Sequence, residues 1–550
     1  MQRLLAAIAP IDIKPVDIAV AVELVLALLL LVALLTVAAR RLGIPYPILM
    51  TLGGLVLGVA LGLVPDLPRV ELAPELVFLL FLPPLLFSAA FFTSPRDLAR
   101  FARPIGMLAI GLVLATTLIV GVVVHTLAPA IPWAVAFLLG AVVSPPDAVA
   151  ATSIAQRLGL PRRVVIILEG ESLVNDATAL VAYRLALVAA GGVSGSFSLG
   201  DAAISFVVVS IGGVLVGLIA GWVVIAVLGR VEDPPVEVLL SLLAPFGCWL
   251  PAEALGVSGV LSVVTAGIVV GRHISRITSS DTRVLASGVW QMVVFTLTGV
   301  VFILIGLQLP TILETLRASR SFGELASWAI VVSVTVILVR LIWVFPSAYL
   351  PRLLSAKIRK RETMPPPRNV LIIGWAGMRG VVSLAAALAL PRFVEGGAAF
   401  PERDLVIFLT FSVILATLVG QGLSLPLLIR WLGVGDDGSE AHEELHAREA
   451  AVGAALSRLD ELAQEWPGHL ELIDHLRERH QHATEHLEHD HESGEVPKDQ
   501  EAIEHAIIQR AVIDAQRLAV IDLRDRGVIS DEAVRVVVRG LDLEELRAEG

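Results

Sequence analysis

Residues 144–150 read SPPDAVA and residues 169–176 read EGESLVND, and each stretch interrupts a long apolar run. A carboxylate at the centre of a bilayer-spanning helix costs about 2.5–3.5 kcal/mol on insertion scales, so it needs a function or a partner. Consecutive prolines remove two backbone donors and clash with the preceding turn. The first stretch therefore predicts a broken helix, and the second predicts carboxylates on the helix that follows.

The surrounding composition is that of a membrane protein. The chain has 550 residues, of which 56% are hydrophobic and 17% are charged. Soluble globular domains contain about 45–50% apolar and about 25% charged residues. The composition therefore argues against a soluble enzyme, a disordered chain or a disulfide scaffold. Cys248 is the only cysteine, so the chain forms no intrachain disulfide.

Thirteen runs are long and apolar enough to predict membrane-spanning helices, which need about 20 residues each. They are 16–39, 46–64, 74–92, 104–128, 131–156, 163–190, 201–229, 235–251, 255–271, 284–308, 324–350, 369–391 and 404–432. The fold class expected is an all-α polytopic membrane protein with about thirteen transmembrane helices.

Lysine and arginine in the connecting loops predict the orientation. With the N-terminus outside, the inside segments carry 19 basic residues and the outside segments carry 7. Cytoplasmic loops carry the excess of positive charge. We therefore expect a multi-pass protein of the cell (inner or plasma) membrane, with the N-terminus outside and the C-terminus in the cytoplasm.

The charge distribution divides the chain into a transmembrane domain, 1–435, and a cytoplasmic tail, 436–550. The tail holds 29 acidic and 12 basic residues and ten of the twelve histidines. Four polar helices are expected there, at 440–466, 467–491, 498–526 and 530–548. Its histidine cluster is consistent with a Zn²⁺ or Ni²⁺ site, a pH sensor or a solvated helical face. The tail has no Gly-rich phosphate loop or dinucleotide fingerprint, and we expect no cofactor and no nucleic-acid partner.

The twelfth run is also interrupted, by GWAGMRG at 374–380. It follows the fifth run by seven spans, so spans 1–6 and 8–13 are predicted to form two inverted six-helix repeats with equivalent broken helices. Interrupted spans in matching positions of two halves point to a transporter's binding site. The carbonyls that the prolines free are expected to be available as cation ligands.

The depth of the carboxylates agrees with this prediction. Asp147 lies about 16 residues into its span and Asp176 about 13 residues into the next, which places both in the middle third of the bilayer. Ser172 and Asp176 are i,i+4 neighbours on one helix face. Two carboxylates with hydroxyl and carbonyl oxygens suit a hard cation such as Na⁺, and carboxylates also bind protons.

Some of these residues also have structural interpretations. Asp147 could cap the second half of its broken helix. Ser172 could bond to its own helix backbone. Arg184 and Arg340 are interpreted as lying near membrane ends, where a long side chain reaches the interface.

Asp147 after a helix-breaking proline, ESLVND at 171–176 and GMRG at 377–380 resemble the sodium/proton exchanger family, the monovalent cation:proton antiporters, over roughly 16–432. The resemblance implies a homodimer whose subunits each have a dimerisation domain and a mobile core with crossing broken helices. It implies an elevator movement and a shared Na⁺/H⁺ site. By this resemblance the ion site is formed by Asp176 with Asp147 and Ser172, and its supporting residues are Asn175, Glu171, Arg379 and Pro146.

The same resemblance implies that Glu171 pairs with Arg379 and that Asn175, in place of a second aspartate, marks the electroneutral branch. Ser88 is a departure, because some members carry an acidic residue soon after the proline pair that Pro83 and Pro84 match. This difference leaves the choice of cation open.

The expected function is secondary active exchange of Na⁺ or Li⁺ for H⁺, with a role in pH homeostasis. The alternatives are a K⁺/H⁺ antiporter on the same scaffold and a gated cation channel. Channels usually build their filter on a symmetry axis between subunits, whereas this chain has its own internal repeat. An enzyme is not expected, because no histidine lies in the middle of a span, where a nucleophile–base or metal set would need one.

Overall fold

The computed structural model of the protein describes residues 15–63, 77–190, 199–317, 320–394, 398–435 and 438–478, with a few isolated positions beyond 512. The chain divides into two compact units, Met1–Asp437 and Gly438–Gly550. The described part of the first unit is helical except for loops and one isolated bridge, between Phe393 and Ala399. The fold class is therefore the all-α class that the apolar runs predict.

The helices of the first unit are numbered here by the predicted run on which each lies. The first seven are α1 (Pro15–Leu42), α2 (Tyr46–Gly62), α3 (Leu82–Phe92), α4 (Ala102–Leu127), α5a and α5b (Trp133–Val143 and Ala148–Arg157), α6 (Arg162–Ala190) and α7 (Leu199–Leu228). The others are α8 (Pro234–Ala254), α9 (Gly259–Ile277), α10 (Ser280–Arg317), α11 (Phe322–Leu354), α12a and α12b (Pro367–Trp375 and Val381–Leu388) and α13 (Arg403–Leu432).

Eight of these helices are long and apolar enough to cross a membrane, namely α1, α4, α6, α7, α8, α10, α11 and α13. Four shorter apolar segments lie on α2, α3, α5a and α9. Each of the thirteen predicted runs coincides with helix, so the multi-pass architecture is confirmed. The number of crossings remains a prediction, because the lengths alone do not fix it.

Helix α5a lies at the centre of the first unit. Eight of its eleven residues are buried, because it is apolar on every side and packs against α4, α6, α12b and α13. It belongs to the larger of two hydrophobic clusters, whereas α3, α7, α8 and α9 supply most of the smaller one. The broken helix is therefore held from all sides, and its break lies deep in the protein.

In the second unit, the structure describes a helix at Ser439–Glu465, a short 3₁₀ turn at Pro467–His469 and a helix over 470–478. Arg458 pairs with Glu461 and Glu465, and Arg477 pairs with Asp460 and Asp474; most of these side chains are well exposed. Exposed pairs of this kind contribute little stability. The predicted histidine cluster at 480–491 lies outside the described residues.

Candidate cation and proton site

The two broken helices cross at their interruptions. Helix α5a ends at Val143 and α5b begins at Ala148, while α12a ends at Trp375 and α12b begins at Val381. Between them, the backbone N–H of Asp147 donates to the carbonyl oxygen of Met378 at 2.7 Å. The breaks that the proline pair and the glycine-rich stretch predict are therefore present, and they meet as the family resemblance implies.

Two glycines of the second interruption allow this close approach. A Cβ at Gly380 would overlap the carboxylate of Asp147, and a Cβ at Gly377 would overlap the side-chain stem of Arg340. No larger residue fits at either position without displacing a charged group. The glycines in GMRG are thus explained by backbone packing against side chains of the site.

Helix α6 lies beside the crossing and contributes the second carboxylate. The side-chain amide of Asn175 donates to the carbonyl oxygen of Pro146 at 3.2 Å, which fastens α6 to the break in α5. The next residue, Asp176, is only 5% exposed. It interacts electrostatically with Asp147, which is half-buried. The structure therefore brings Asp147, Pro146, Asn175 and Asp176 together, with the half-buried Ser172 one turn away on α6.

Glu171 pairs with Arg340 of α11, so the predicted pairing with Arg379 is wrong. The two oxygens of Glu171 accept from the two terminal nitrogens of Arg340 at 2.5 and 2.9 Å, and both side chains are 1% exposed. Arg340 also donates to the carbonyl oxygen of Ile373 through Nε and Nη2. The guanidinium thus joins α6, α11 and the end of α12a, where the helix dipole favours a positive charge.

The interpretation of Arg340 as an interfacial residue is wrong for the same reason. The residue lies about 15 Å of helix from the end of its predicted run, which is further than an arginine side chain reaches. Its depth was a signal that sequence reasoning could have used. Arg184, which was interpreted in the same way, is exposed and pairs with Glu253 at 3.0 Å.

Arg379 is fully buried but forms no ion pair among the described residues. Its Nη1 donates to the carbonyl oxygen of Ser144 at 2.7 Å, while Nε and Nη2 have no hydrogen-bond partner. Its backbone N–H donates to the hydroxyl of Thr417 in α13 at 3.0 Å. A positive charge therefore lies at the C-terminal end of α5a, where the helix dipole is negative.

This contact alters the expectation about free carbonyls at the break. The carbonyl oxygen of Ser144 is occupied by Arg379, and that of Ala141 accepts from both the backbone N–H and the hydroxyl of Ser144. These two carbonyls are thus satisfied within the protein. The other oxygens brought to the crossing include the carboxylates of Asp147 and Asp176 and the buried Oδ1 of Asn175, which has no hydrogen-bond partner.

The sequence model of the family described as "Sodium/hydrogen exchanger, transmembrane" matches residues 26–431. The chain belongs to this family. Its members are transporters, so the protein is a cation/proton antiporter and a multi-pass membrane protein, and not an enzyme.

Relatives and a solved structure agree with this assignment. An uncharacterized Na⁺/H⁺ exchanger of Mycobacterium tuberculosis is 34% identical over 95% of each chain. A "Sodium, potassium, lithium and rubidium/H(+) antiporter" of Bacillus subtilis is 36% identical over 74% of this chain and 61% of that protein. The sodium proton antiporter MjNhaP1 from Methanocaldococcus jannaschii shares the fold, with a TM-score of 0.57 at 22% identity over 76% of this chain and 99% of that one.

In this exchanger, a cavity of about 950 Å³ lies next to the crossing. One side is formed by α1, the start of α2 and Phe295 of α10, and the other by α5b and α13. Tyr46, which lines the cavity, interacts electrostatically with Asp147 and packs its ring 5.9 Å from that of Phe295. Arg40 and Arg430 line the same cavity, so it opens on the side that the loop charges predict to be cytoplasmic.

Proposed function

We propose that the protein exchanges Na⁺ or Li⁺ for H⁺ across the cell membrane by alternating access, with Asp176 as the shared site. The observation that supports this most strongly is the position of Asp176 itself. Its carboxylate is buried at the crossing of two broken helices, beside Asp147, and forms no ion pair with a lysine or arginine in the described part of the chain. Intramembrane carboxylates in such positions mark ion and proton pathways.

The chemistry of exchange follows from competition at one group. Ionised Asp176 needs a positive charge nearby, and a bound Na⁺ or Li⁺ ion supplies it. The oxygen ligands of this ion would be the carboxylates of Asp176 and Asp147 and the hydroxyl of Ser172. Protonated Asp176 is neutral and needs no cation. Because the group holds either the cation or the proton, loading one ion requires release of the other. The site therefore couples cation flux to proton flux without an additional binding site.

The proposed stoichiometry is one cation for one proton. By the family resemblance, Asn175 stands in place of a second aspartate that would carry another proton. Its amide donates to the carbonyl oxygen of Pro146. Exchange of one Na⁺ for one H⁺ moves no net charge, so an imposed membrane potential should leave the rate unchanged. A clear voltage dependence would mean that Asp147 also releases its proton in each cycle.

The cavity beside the crossing supports an access route from the cytoplasm. It separates α1, α2 and α10 from α5b and α13, and we propose that the second group moves against the first to expose the site on either side. By the family resemblance, the helices that stay in place would form a homodimer within the lipid.

The proposed orientation can be tested by labelling. Cysteines at positions 99 and 279, with Cys248 removed, should react with impermeant reagents only from the cytoplasm, and one at position 321 only from outside.

A K⁺/H⁺ antiporter on the same scaffold is the second candidate. The relative in Bacillus subtilis is named for sodium, potassium, lithium and rubidium, which supports a broad choice of cation. Ser88 of this chain is buried on α3 and offers a hydroxyl where some family members have a carboxylate.

The test is dissipation of a pH gradient by purified protein in proteoliposomes, with Na⁺, Li⁺, K⁺ and Rb⁺ added separately. Dissipation by Na⁺ and Li⁺ at concentrations where K⁺ is ineffective would support the proposal. Equal responses to all four ions would favour the broad antiporter. Ion flux without proton movement would overturn both.

A further inference from the structure

A second buried carboxylate lies far from the crossing in the sequence and is not used by the exchange site. Glu237, in the first turn of α8, is 3% exposed. Its Oε2 has no hydrogen-bond partner, and the side chain forms no ion pair among the described residues. Burying an ionised carboxylate without a partner is costly, so a partner is expected to reach it.

Glu237 lines a cavity of about 310 Å³ between α3, α7, α8, α9 and α10. This size falls at the lower end of the range for small-molecule sites, about 300–1,000 Å³. The helices around it belong mostly to the smaller hydrophobic cluster, whereas the exchange site lies within α5, α6 and α12. The cavity is therefore a separate feature of the fold.

The walls of the cavity are aromatic on one side. The ring of Phe87 stacks on those of Phe91 and Trp290, with centroid distances of 6.1 and 5.8 Å, and all three residues line the cavity. The indole N–H of Trp290 donates to the hydroxyl of Ser241 at 3.1 Å, which fixes the ring. Aromatic rings attract a cation that lies within about 6 Å of the ring centroid, over the face of the ring.

Among the described residues that line the cavity, Arg283 is the one arginine or lysine, but it does not pair with Glu237. Its side chain is exposed, and its Nη1 donates to the carbonyl oxygen of Thr278 at 2.5 Å. The guanidinium is thus fixed at the rim by a backbone contact. Glu237 is the only acidic residue among the described residues that line the cavity.

We propose that this cavity binds an organic ammonium ion with an apolar body, whose charge pairs with Glu237 and whose body lies against the rings of Phe87, Phe91 and Trp290. A single carboxylate matches a single positive charge. The mostly apolar and aromatic lining suits a hydrocarbon body and supplies too few oxygens to replace the hydration shell of an alkali cation. An ammonium ion also donates hydrogen bonds, which the unpartnered Oε2 accepts.

The test is calorimetric binding of 2-phenylethylamine to the purified full-length protein, compared with 2-phenylethanol, which has a similar size and no charge. Charge-assisted hydrogen bonds contribute about 1.5–3 kcal/mol, so the amine should bind at least about tenfold more tightly than the alcohol. Glu237→Gln should reduce amine affinity to that of the alcohol and leave alcohol binding unchanged. The matched control is Glu232→Gln, an exposed carboxylate five residues earlier, which should change neither.

A second variant covers the case in which Glu237→Gln fails to fold. Ser287 is exposed and lines the cavity, so Ser287→Trp should block it and weaken binding of both compounds. Equal affinity for amine and alcohol, no binding of either, or unchanged amine binding in Glu237→Gln or Ser287→Trp would each overturn the proposal. Repeating the titration in nanodiscs with and without phosphatidylethanolamine identifies the source: competition by this lipid indicates its ammonium headgroup, and no competition indicates a free amine.

Discussion

Glu171 and Asp176 lie five residues apart on α6, and both are buried within the membrane-spanning unit, yet their surroundings differ completely. Glu171 is held by both terminal nitrogens of Arg340, at 2.5 and 2.9 Å. Asp176 has no such partner in the described part of the chain and has the carboxylate of Asp147 near it instead. One helix therefore carries a carboxylate with a permanent counter-ion and another that lacks one.

The comparison shows how one helix can serve both stability and transport. A carboxylate that is already neutralised by a fixed arginine gains little from a mobile cation, so it contributes to packing of the core. A carboxylate without a fixed counter-ion must take one up or be protonated. In the proposed mechanism, the lack of an arginine next to Asp176 among the described residues is therefore as important as the carboxylate itself.

The largest effect is expected for Asp176→Asn. This change keeps the side-chain volume and removes both the charge and the titrating proton, so Na⁺-dependent proton movement in proteoliposomes should be abolished. The variant should fold, because no ion pair is broken.

In the parent protein, the apparent KM for Na⁺ should rise about tenfold per pH unit on the acidic side, where one proton competes for the site.

The control for this variant is Asp281→Asn, which changes an exposed aspartate at the start of α10 and should leave exchange unchanged. Exchange that survives in Asp176→Asn would contradict the assignment of the site. Attention would then turn to Asp147, the other carboxylate at the crossing.

The next effect concerns the paired carboxylate. Arg340→Gln leaves Glu171 buried without a counter-ion, so the free energy of unfolding should fall by about 3–5 kcal/mol. The double variant with Glu171→Gln should recover part of this loss. Thermal unfolding of the detergent-solubilised protein measures the stability of the single and the double variant. The control is Arg184→Gln, which breaks an exposed pair and should lower the free energy of unfolding by at most about 1 kcal/mol. A stable Arg340→Gln protein would show that the pair has no structural role.

Arg379→Gln should lower the free energy of unfolding by a smaller amount. This arginine donates to the carbonyl oxygen of Ser144, and its removal leaves no carboxylate unpaired. Loss of one charge-assisted hydrogen bond corresponds to about 1.5–3 kcal/mol. In double-variant cycles with Glu171→Gln, the coupling energy should be large for Arg340 and much smaller for Arg379. The reverse order would restore the pairing that the family resemblance implied.

The sequence was sufficient to predict the elements of the site but not all of its contacts. Consecutive prolines and closely spaced glycines act locally, so the breaks at 144–147 and 376–380 follow from residue type alone. That the two breaks cross is what the family resemblance implies. The pairing of Glu171 with Arg340 joins residues 169 positions apart. It depends on how α11 is rotated about its axis, which an almost uniformly apolar helix does not reveal.

Glu237 was missed for a related reason. The residue lies close to the start of its apolar run, where an acidic side chain normally reaches water. In the structure, the residue is buried and lines a cavity together with residues of α3, α7, α9 and α10. Burial near a helix end is a property of the tertiary packing, and hydropathy along the chain contains no signal for it.

Another paired carboxylate, Glu362, lies in the loop between α11 and α12a and extends the comparison beyond the predicted spans. Its oxygens accept from Arg103 at 2.5 and 3.1 Å and from Arg352 at 2.7 Å. The Glu362 side chain is 28% exposed, against 1% for Glu171. Solvent therefore screens this pair, and its contribution to stability should be much smaller than that of the buried one.

The smallest predicted effect is a pH dependence of stability that Glu362 introduces. The hydrogen bond from Arg103 lowers the pKa of Glu362 below its ordinary value of 4.5, and the charges of Arg352 and Arg163 act in the same direction, although burial opposes them. Because the folded protein holds this proton less tightly than the unfolded chain, the stabilisation is complete above pH 4.5 and is lost as the pH falls through the lowered pKa. Glu362→Gln should cost at most about 1 kcal/mol at neutral pH and should reduce the fall in Tm below pH 4.5. If the variant and the parent lose Tm in parallel on acidification, Glu362 is not the titrating group, and the acid sensitivity belongs to other carboxylates.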